Sequence, residues 1–195
     1  MNLELSLSCC FLSTCQFLHC FIGFFHKKQH FIRCKSTLEG AQAKWHGSVG
    51  GIVDAPINKV WSVVSVTKRL SEWMPMVENC TDLAGDEGNP GYVRLVSGFM
   101  FPQINGERSW IKEKLISIDR NEHSYVYKME ASNVGLDGSI NTLKLVDYGD
   151  DSTLVNWSFE IDSLDGVSED KIMDYLGFLY KSCINRIKGA LEITI

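Results

Sequence analysis

The sequence lacks metal-ligand spacing such as paired CxxC motifs, and it contains no basic stripe, internal repeat or low-complexity tract. Five of its seven cysteines lie within the first 34 residues, which leaves Cys80 and Cys183 for the rest of the chain. Two distant cysteines favour a reducing compartment over a disulfide framework. The formal net charge is −5, although the N-terminal segment is net basic, so the remainder is clearly acidic. We therefore expect no metal, no cofactor and no nucleic-acid partner.

The 195 residues, 45% of them hydrophobic, predict one globular domain of residues 40–195 behind an extension of residues 1–39. Residues 8–25 are apolar in bulk, but Ser, Thr, Gln and His interrupt them, and a membrane span needs ~20 strongly apolar residues. A secretory signal has its positive charge before the apolar run, whereas here Glu4 precedes it and Lys27–Lys28 follow. We predict a cytoplasmic protein with a dispensable extension. Plastid targeting or membrane association through residues 8–25 is the alternative.

Turn-forming clusters of Gly, Asn and Asp separate short runs of residues along most of this domain. Lys44–Ala55 is predicted to be a strand, followed by one short helix starting at Asp54–Ala55–Pro56 and a second over Lys68–Met74. Six more strands are predicted at Glu78–Leu83, Tyr92–Gly98, Glu107–Ile118, His123–Ser132, Ser139–Tyr148 and Thr153–Asp162. Ser168–Glu192 is predicted to be a long helix, because apolar residues recur there at steps of three and four.

This order of elements predicts an α+β protein with the helix-grip fold. A curved antiparallel sheet of about seven strands would wrap around the long C-terminal helix, with two short helices after the first strand. A helix laid over a strongly curved sheet cannot fill the concave side, so a pocket remains between them. The expected partner is a small apolar or amphipathic molecule.

Strand alternation predicts which side chains face that pocket. On the last strand Trp157 and Phe159 share the apolar face. On two earlier strands a charged residue falls on the apolar face, namely Arg94 and Glu113. The two charges could pair inside the pocket, where an unpaired charge would be costly, or they could form an ordinary cross-strand pair at the surface. Alternation alone leaves both interpretations open.

The candidate ligand-binding residues are aromatic or aliphatic side chains predicted to line the pocket: Tyr125, Trp157, Phe159, Leu115 and Phe99. Tyr125 lies on one face of its strand together with Tyr127 and Met129. Buried tyrosines are more often plain core residues than site residues, so both readings stay open for this pair.

Seven segments in order resemble the plant lachrymatory-factor synthases and their wider relatives in the polyketide-cyclase/START-like group, which includes Bet v 1 proteins. They are KWHGSVGG, APINKVWSVV, MPMVENC, GYVRLVSGFM, WIKEKLISID, HSYVYKME and NWSFE. The resemblance covers residues 44–192 and implies the helix-grip fold independently of the strand pattern.

The resemblance also implies an activity, the cofactor-free rearrangement of an alkenyl sulfenic acid to a thial S-oxide. The catalytic arginine of the synthases corresponds to Arg94 in GYVRLVSG, the catalytic glutamate to Glu113 in WIKEKL, and an aromatic hydroxyl to Tyr127. A second tyrosine expected near Ser139–Thr142 is absent. The alternative function is a non-catalytic binding or carrier protein for a hydrophobic plant metabolite or a hormone-like ligand.

Overall fold

The computed structural model describes residues 44–103, 106–164 and 166–192. The predicted extension of residues 1–39, with its apolar segment 8–25, lies outside the described residues. The boundary predicted between that extension and the domain therefore stays a prediction.

The described chain begins with strand β1 (Lys44–Val53), followed by helix α1 (Ile57–Val64), a 3₁₀ turn (Thr67–Arg69) and the single-turn helix α2 (Leu70–Trp73). Six strands follow: β2 (Val77–Ala84), β3 (Val93–Gly98), β4 (Ser109–Asp119), β5 (Ser124–Ser132), β6 (Ile140–Gly149) and β7 (Ser152–Asp162). The last element is helix α3 (Glu169–Glu192). The predicted order of elements is confirmed.

The seven strands form one antiparallel sheet in the order β1-β7-β6-β5-β4-β3-β2. Each strand from β2 to β7 pairs with its neighbour in sequence, which confirms the predicted antiparallel meander. The pairing of β4 with β5 has two irregularities on the β4 side, one between Lys112 and Glu113 and one between Leu115 and Ser117. Bulges of this kind increase local twist, and they help to curve the sheet around α3.

Helix α3 packs against the concave face of the sheet with the apolar side that its periodicity predicts. The six predicted core residues of this helix are all buried: Ile172, Leu176, Leu179, Cys183, Ile187 and Ala190. On β7 the predicted alternation also holds, since Trp157 and Phe159 are buried while Asn156 is exposed. These observations confirm the helix-grip fold.

Most predicted boundaries differ from the observed ones by one or two residues, and two of the differences have a visible cause or change the type of element. Strand β1 ends at Val53 rather than Ala55, because the chain turns there and the Ala55 amide donates to the Val53 carbonyl. The predicted helix over Lys68–Met74 is a 3₁₀ turn followed by one α-helical turn. Both differences affect only the ends of short elements.

Candidate functional site

A cavity lies between the concave face of the sheet, α2 and α3. The space among its lining side chains is about 540 Å³, including the part open to solvent, and the centre of a water molecule can occupy about 30 Å³ of it. That interior room corresponds to roughly two water molecules, so the cavity as it stands suits a ligand with few heavy atoms. Most of the lining is apolar, and Arg94, Glu113 and Asn141 are its non-aromatic polar residues.

Arg94 on β3 and Glu113 on β4 form a buried ion pair in this lining. The two residues are direct partners in the antiparallel register, so the sheet itself brings them together. Nε of Arg94 lies 2.8 Å and Nη2 lies 2.7 Å from the same oxygen, Oε2 of Glu113. Their side chains are only 8% and 13% exposed. The structure therefore excludes the alternative of a surface pair.

The other carboxylate oxygen of Glu113 has a different environment. Among the described residues, none donates a hydrogen bond to Oε1. The carboxylate is thus fixed at one oxygen by a cation, and its second oxygen remains able to accept a proton. Burial is the largest single effect on the pKa of the Arg94 guanidinium and lowers it, but Glu113, followed by Tyr127, Cys80 and Tyr125, together outweigh burial, so that pKa lies above its ordinary value. Arg94 is a permanent cation at this position.

Tyr127 on β5 completes the polar group at this part of the cavity. The guanidinium carbon of Arg94 lies 3.9 Å from the centroid of its ring, and the ring of Tyr125 makes an edge-to-face contact with it at 5.6 Å. Burial raises the pKa of Tyr127, and the opposing effects of Arg94 and of the Thr67 hydroxyl are smaller. The phenol therefore stays protonated at neutral pH and can donate a hydrogen bond.

A second polar group in the lining joins β6, β7 and α3. The Tyr180 hydroxyl donates to Oδ1 of Asn141 at 2.6 Å, and both residues are buried. The Tyr180 ring stacks on Trp157, with centroids 4.2 Å apart and an interplanar angle of 4°. Trp157 in turn contacts Trp73 of α2 at 5.7 Å. These contacts connect the sheet to α2 and to α3.

The predicted ligand-binding residues fall into three groups. Tyr125 and Trp157 line the cavity. Leu115 instead lines a smaller adjoining cavity of about 230 Å³, which shares Arg94, Tyr125 and Tyr127 with the first. Phe99 and Phe159 line neither of these two cavities.

The placements of Phe99 and Phe159 correct the sequence prediction, and each has a physical reason. Phe99 follows the last residue of β3, so strand alternation no longer applies to it, and its side chain is 49% exposed. Phe159 does point inward, but its ring occupies the space beside Gly47 of β1 and contacts Tyr180 edge to face at 5.5 Å. Alternation predicts the face of a side chain, not its position along that face.

The sequence prediction missed most of the apolar lining and also three lining residues that carry polar side-chain atoms: Trp73, Asn141 and Tyr180. For two of them the sequence pattern indicates a side chain that faces the cavity. Asn141 shares the inward face of β6 with Leu143, and Tyr180 is four residues from Leu176 on the apolar face of α3. Asn141 occupies the stretch in which the resemblance predicts a second tyrosine, and the structure supplies a hydroxyl next to it from α3 instead.

Among the described residues, no three His, Cys, Asp or Glu side chains are grouped so that they could hold a metal ion. In the same part of the chain, no helix is long and apolar enough to cross a membrane. Cys80 and Cys183 are free thiols. Burial raises the pKa of Cys80 to about 11, so this thiol near Arg94 is a poor nucleophile at neutral pH.

Comparisons with known proteins agree with this architecture. The sequence profile of the family described as polyketide cyclase / dehydrase and lipid transport matches residues 42–192. The crystal structure of ginseng major latex-like protein 151 from Panax ginseng is similar with a TM-score of 0.61 at 16% identity, covering 75% of this chain and 96% of that one. Ara h 8.0201 gives a TM-score of 0.62 at 17% identity, covering 78% and 100%. A protein from Nitrosospira multiformis gives 0.56 at 25% identity, covering 76% and 96%.

Proposed function

Because the chain belongs to the polyketide cyclase / dehydrase and lipid transport family, we propose that its cavity takes up a small, mostly apolar molecule and that Arg94 and Glu113 isomerise it without a cofactor. The observation that carries this proposal is the buried Arg94–Glu113 pair in the cavity lining, with Oε1 of Glu113 free of donors among the described residues. The proposed domain is residues 40–195, and the proposed location is the cytoplasm.

The proposed reaction is the one implied by the resemblance to the lachrymatory-factor synthases. An alkenyl sulfenic acid carries the unit C=C–S–O–H. The O–H bond breaks, a C–H bond forms at the alkene carbon remote from sulfur, and the C=C double bond is replaced by C=S. The product is a thial S-oxide with the same atoms as the substrate. No electrons are gained or lost, so the reaction requires neither an oxidant nor a reductant.

Glu113 is the group that moves the proton. A carboxylate can accept the sulfenic O–H proton and return it to carbon, which is general base followed by general acid catalysis. Arg94 holds Oε2, which orients the carboxylate and leaves Oε1 for the transfer. The apolar surroundings exclude most water, so the proton is not exchanged away between the two steps.

Arg94 and Tyr127 act on the substrate oxygen. Removal of the proton places negative charge on that oxygen, and a fixed cation in a poorly solvated site stabilises such charge strongly. Tyr127 stays protonated because burial raises its pKa, so its hydroxyl can donate to the same oxygen. Arg94 already contacts both partners, which makes the three side chains one preorganised unit.

The test uses the full chain, with an alkenyl sulfenic acid generated in the assay by a second enzyme and product measured by gas chromatography. We expect the wild type to form the thial S-oxide, and Arg94→Leu and Glu113→Gln each to lower the rate by about 100-fold or more. Matched controls are Arg108→Leu and Glu130→Gln, which change the same residue types at ion-paired positions outside the cavity. These two should keep the wild-type rate.

A wild-type rate equal to the uncatalysed background would refute the isomerase proposal. The second candidate, a non-catalytic binding or carrier protein, is favoured by unpaired hydrogen-bond donors elsewhere in the cavity lining, which suit ligand recognition as well as catalysis. In that case mass spectrometry of the purified protein should find a small molecule that copurifies with the wild type.

A further inference from the structure

Three residues of the cavity lining carry buried N–H groups that have no acceptor in the part of the chain that the structure describes. These groups are the indole Nε1 atoms of Trp73 and Trp157 and the amide Nδ2 of Asn141, and none finds a hydrogen-bond partner among the described residues. The three residues are 0%, 7% and 7% exposed, so bulk water does not satisfy these groups either. Buried donors are nearly always paired in native proteins, and three unpaired donors on residues that line one cavity therefore point to a ligand. We call these three residues the donor cluster.

The orientation of the Asn141 amide follows from its one hydrogen bond. A phenol hydroxyl donates to a carbonyl oxygen, so the Tyr180 contact at 2.6 Å identifies the amide atom facing α3 as Oδ1. The NH₂ group, which carries two donors, then lies on the other side of the amide. Tyr180 is itself held by its stack on Trp157, so one ring positions two members of the donor cluster.

The chemistry of the cluster selects the group that it would bind. Its members are neutral and offer only N–H donors, which match a neutral acceptor oxygen such as S=O or C=O. A carboxylate or phosphate carries a full charge, which neutral N–H donors do not offset in a buried site. We propose that the ligand of this cavity carries a neutral acceptor oxygen that is bound by Trp73, Asn141 and Trp157.

This inference rests on the proposed function only in taking the cavity as the ligand site. It requires no isomerisation, because the donor cluster would select an oxygen-bearing ligand for a carrier as well as for an enzyme.

The test uses two ligands of matched shape, dipropyl sulfoxide and dipropyl sulfide, which differ by one acceptor oxygen. The full chain is labelled with ¹⁵N-tryptophan, which gives one indole signal for each of its five tryptophans. Trp73→Phe and Trp157→Phe variants assign the two signals that matter. We expect the sulfoxide to shift both indole N–H signals downfield, as new hydrogen bonds do, and the sulfide to leave them in place.

Affinities for the same two ligands test Asn141 separately. Asn141→Leu keeps the approximate volume and removes the donors, so it should weaken sulfoxide binding by roughly five- to tenfold and sulfide binding by less than about twofold. Ser139→Ala is the control, because Ser139 Oγ is also buried and unpaired among the described residues but Ser139 does not line the cavity. That variant should bind both ligands as the wild type does.

Three results would overturn the proposal: no binding of the sulfoxide, indole signals that do not respond to it, or an Asn141→Leu variant that loses both ligands equally. A circular dichroism spectrum and a thermal melt of each variant show that the fold is retained. Because these readouts involve no turnover, they can fail while the isomerase assay succeeds, or succeed while it fails.

Discussion

The guanidinium carbon of Arg94 lies 3.9 Å from the centroid of the Tyr127 ring, so the cation that pairs with Glu113 also rests on an aromatic face. The contact joins β3 to β5 across β4, the strand that carries Glu113. The ring and the hydroxyl of Tyr127 therefore have separable roles. The ring contacts the cation, and the proposed mechanism uses the hydroxyl.

Tyr127→Phe tests the hydroxyl alone. We expect the rate of S-oxide formation to fall by about 100-fold, because the variant lacks one hydrogen-bond donor to the developing oxyanion. Its free energy of unfolding should stay within about 1.5 kcal/mol of the wild-type value. Tyr127→Leu also removes the aromatic face, and it should lower stability further by about 1 kcal/mol or more. Initial rates and urea denaturation measure the two effects. An unchanged rate in Tyr127→Phe would remove Tyr127 from the proposed mechanism.

The Arg94–Glu113 pair should be strongly coupled in stability. Arg94→Met leaves the Glu113 carboxylate buried without its cation, and we expect a loss of about 3–5 kcal/mol. Adding Glu113→Leu removes that uncompensated charge, so the double variant should be more stable than Arg94→Met alone. Urea denaturation of the wild type, both single variants and the double variant gives the coupling energy.

The exposed pair Lys44–Glu160 is the control for this cycle, because its side chains are 45% and 34% exposed. Its coupling should be much smaller than that of the buried pair. Equal coupling energies for the two pairs would contradict the burial of Arg94 and Glu113.

Cys183 should make the protein less stable at alkaline pH. Burial raises the pKa of its thiol from 9.0 to about 12. Above pH 9 the unfolded chain releases the thiol proton while the folded chain retains it. The contribution of the Cys183 thiol to the free energy of unfolding is therefore present in full below about pH 9. It is lost as the pH rises towards 12, at up to about 1.4 kcal/mol per pH unit.

Cys183→Ala isolates this effect, because the variant lacks the thiol and keeps every other titrating group. The stability advantage of the wild type over Cys183→Ala should shrink as the pH rises from 9 to 10.5. Urea denaturation with a reductant at pH 8, 9, 10 and 10.5 measures the difference. A difference that stays constant over this range would mean that the thiol does not titrate as its burial implies.

Two glycines should respond in opposite directions to alanine. A Cβ atom at Gly98 would fall on the carbonyl oxygen of Met76 and lie 2.9 Å from the Glu78 amide nitrogen. Both are backbone atoms that cannot move aside, so Gly98→Ala should cost roughly 2–3 kcal/mol. Gly189 lies in α3 with nothing within 4 Å of such an atom.

Gly189→Ala should therefore stabilise the protein by up to about 1 kcal/mol, through helix propensity alone. Thermal melts of the two variants beside the wild type test the pair. Equal melting temperatures for all three proteins would contradict the close backbone approach at Gly98.

The pairing of Arg94 with Glu113 could be predicted from the sequence because it depends on local rules, whereas the sequence left open whether the pair is buried or exposed. Each residue lies on the apolar face of its own strand, and strands that are consecutive in an antiparallel meander pair with each other. The boundary of β1 and the short helices were less accurate, since their ends depend on single hydrogen bonds. The resemblance contributed the proposed roles, which the assays above test.

The Asn141–Tyr180 hydrogen bond could not be predicted in the same way, because it joins residues 39 positions apart on a strand and a helix. Periodicity shows that Tyr180 faces the sheet, but the strand it meets depends on how α3 crosses the curved surface. Phe99 and Phe159 were misplaced for a related reason, since alternation ends with the strand and does not fix the distance to the cavity. The sequence by itself determined the elements, their order and the inward faces, because these follow from the backbone periods of 2 and 3.6 residues. Only the tertiary structure decided which inward side chains meet around the cavity, because that depends on the curvature of the sheet and the position of α3.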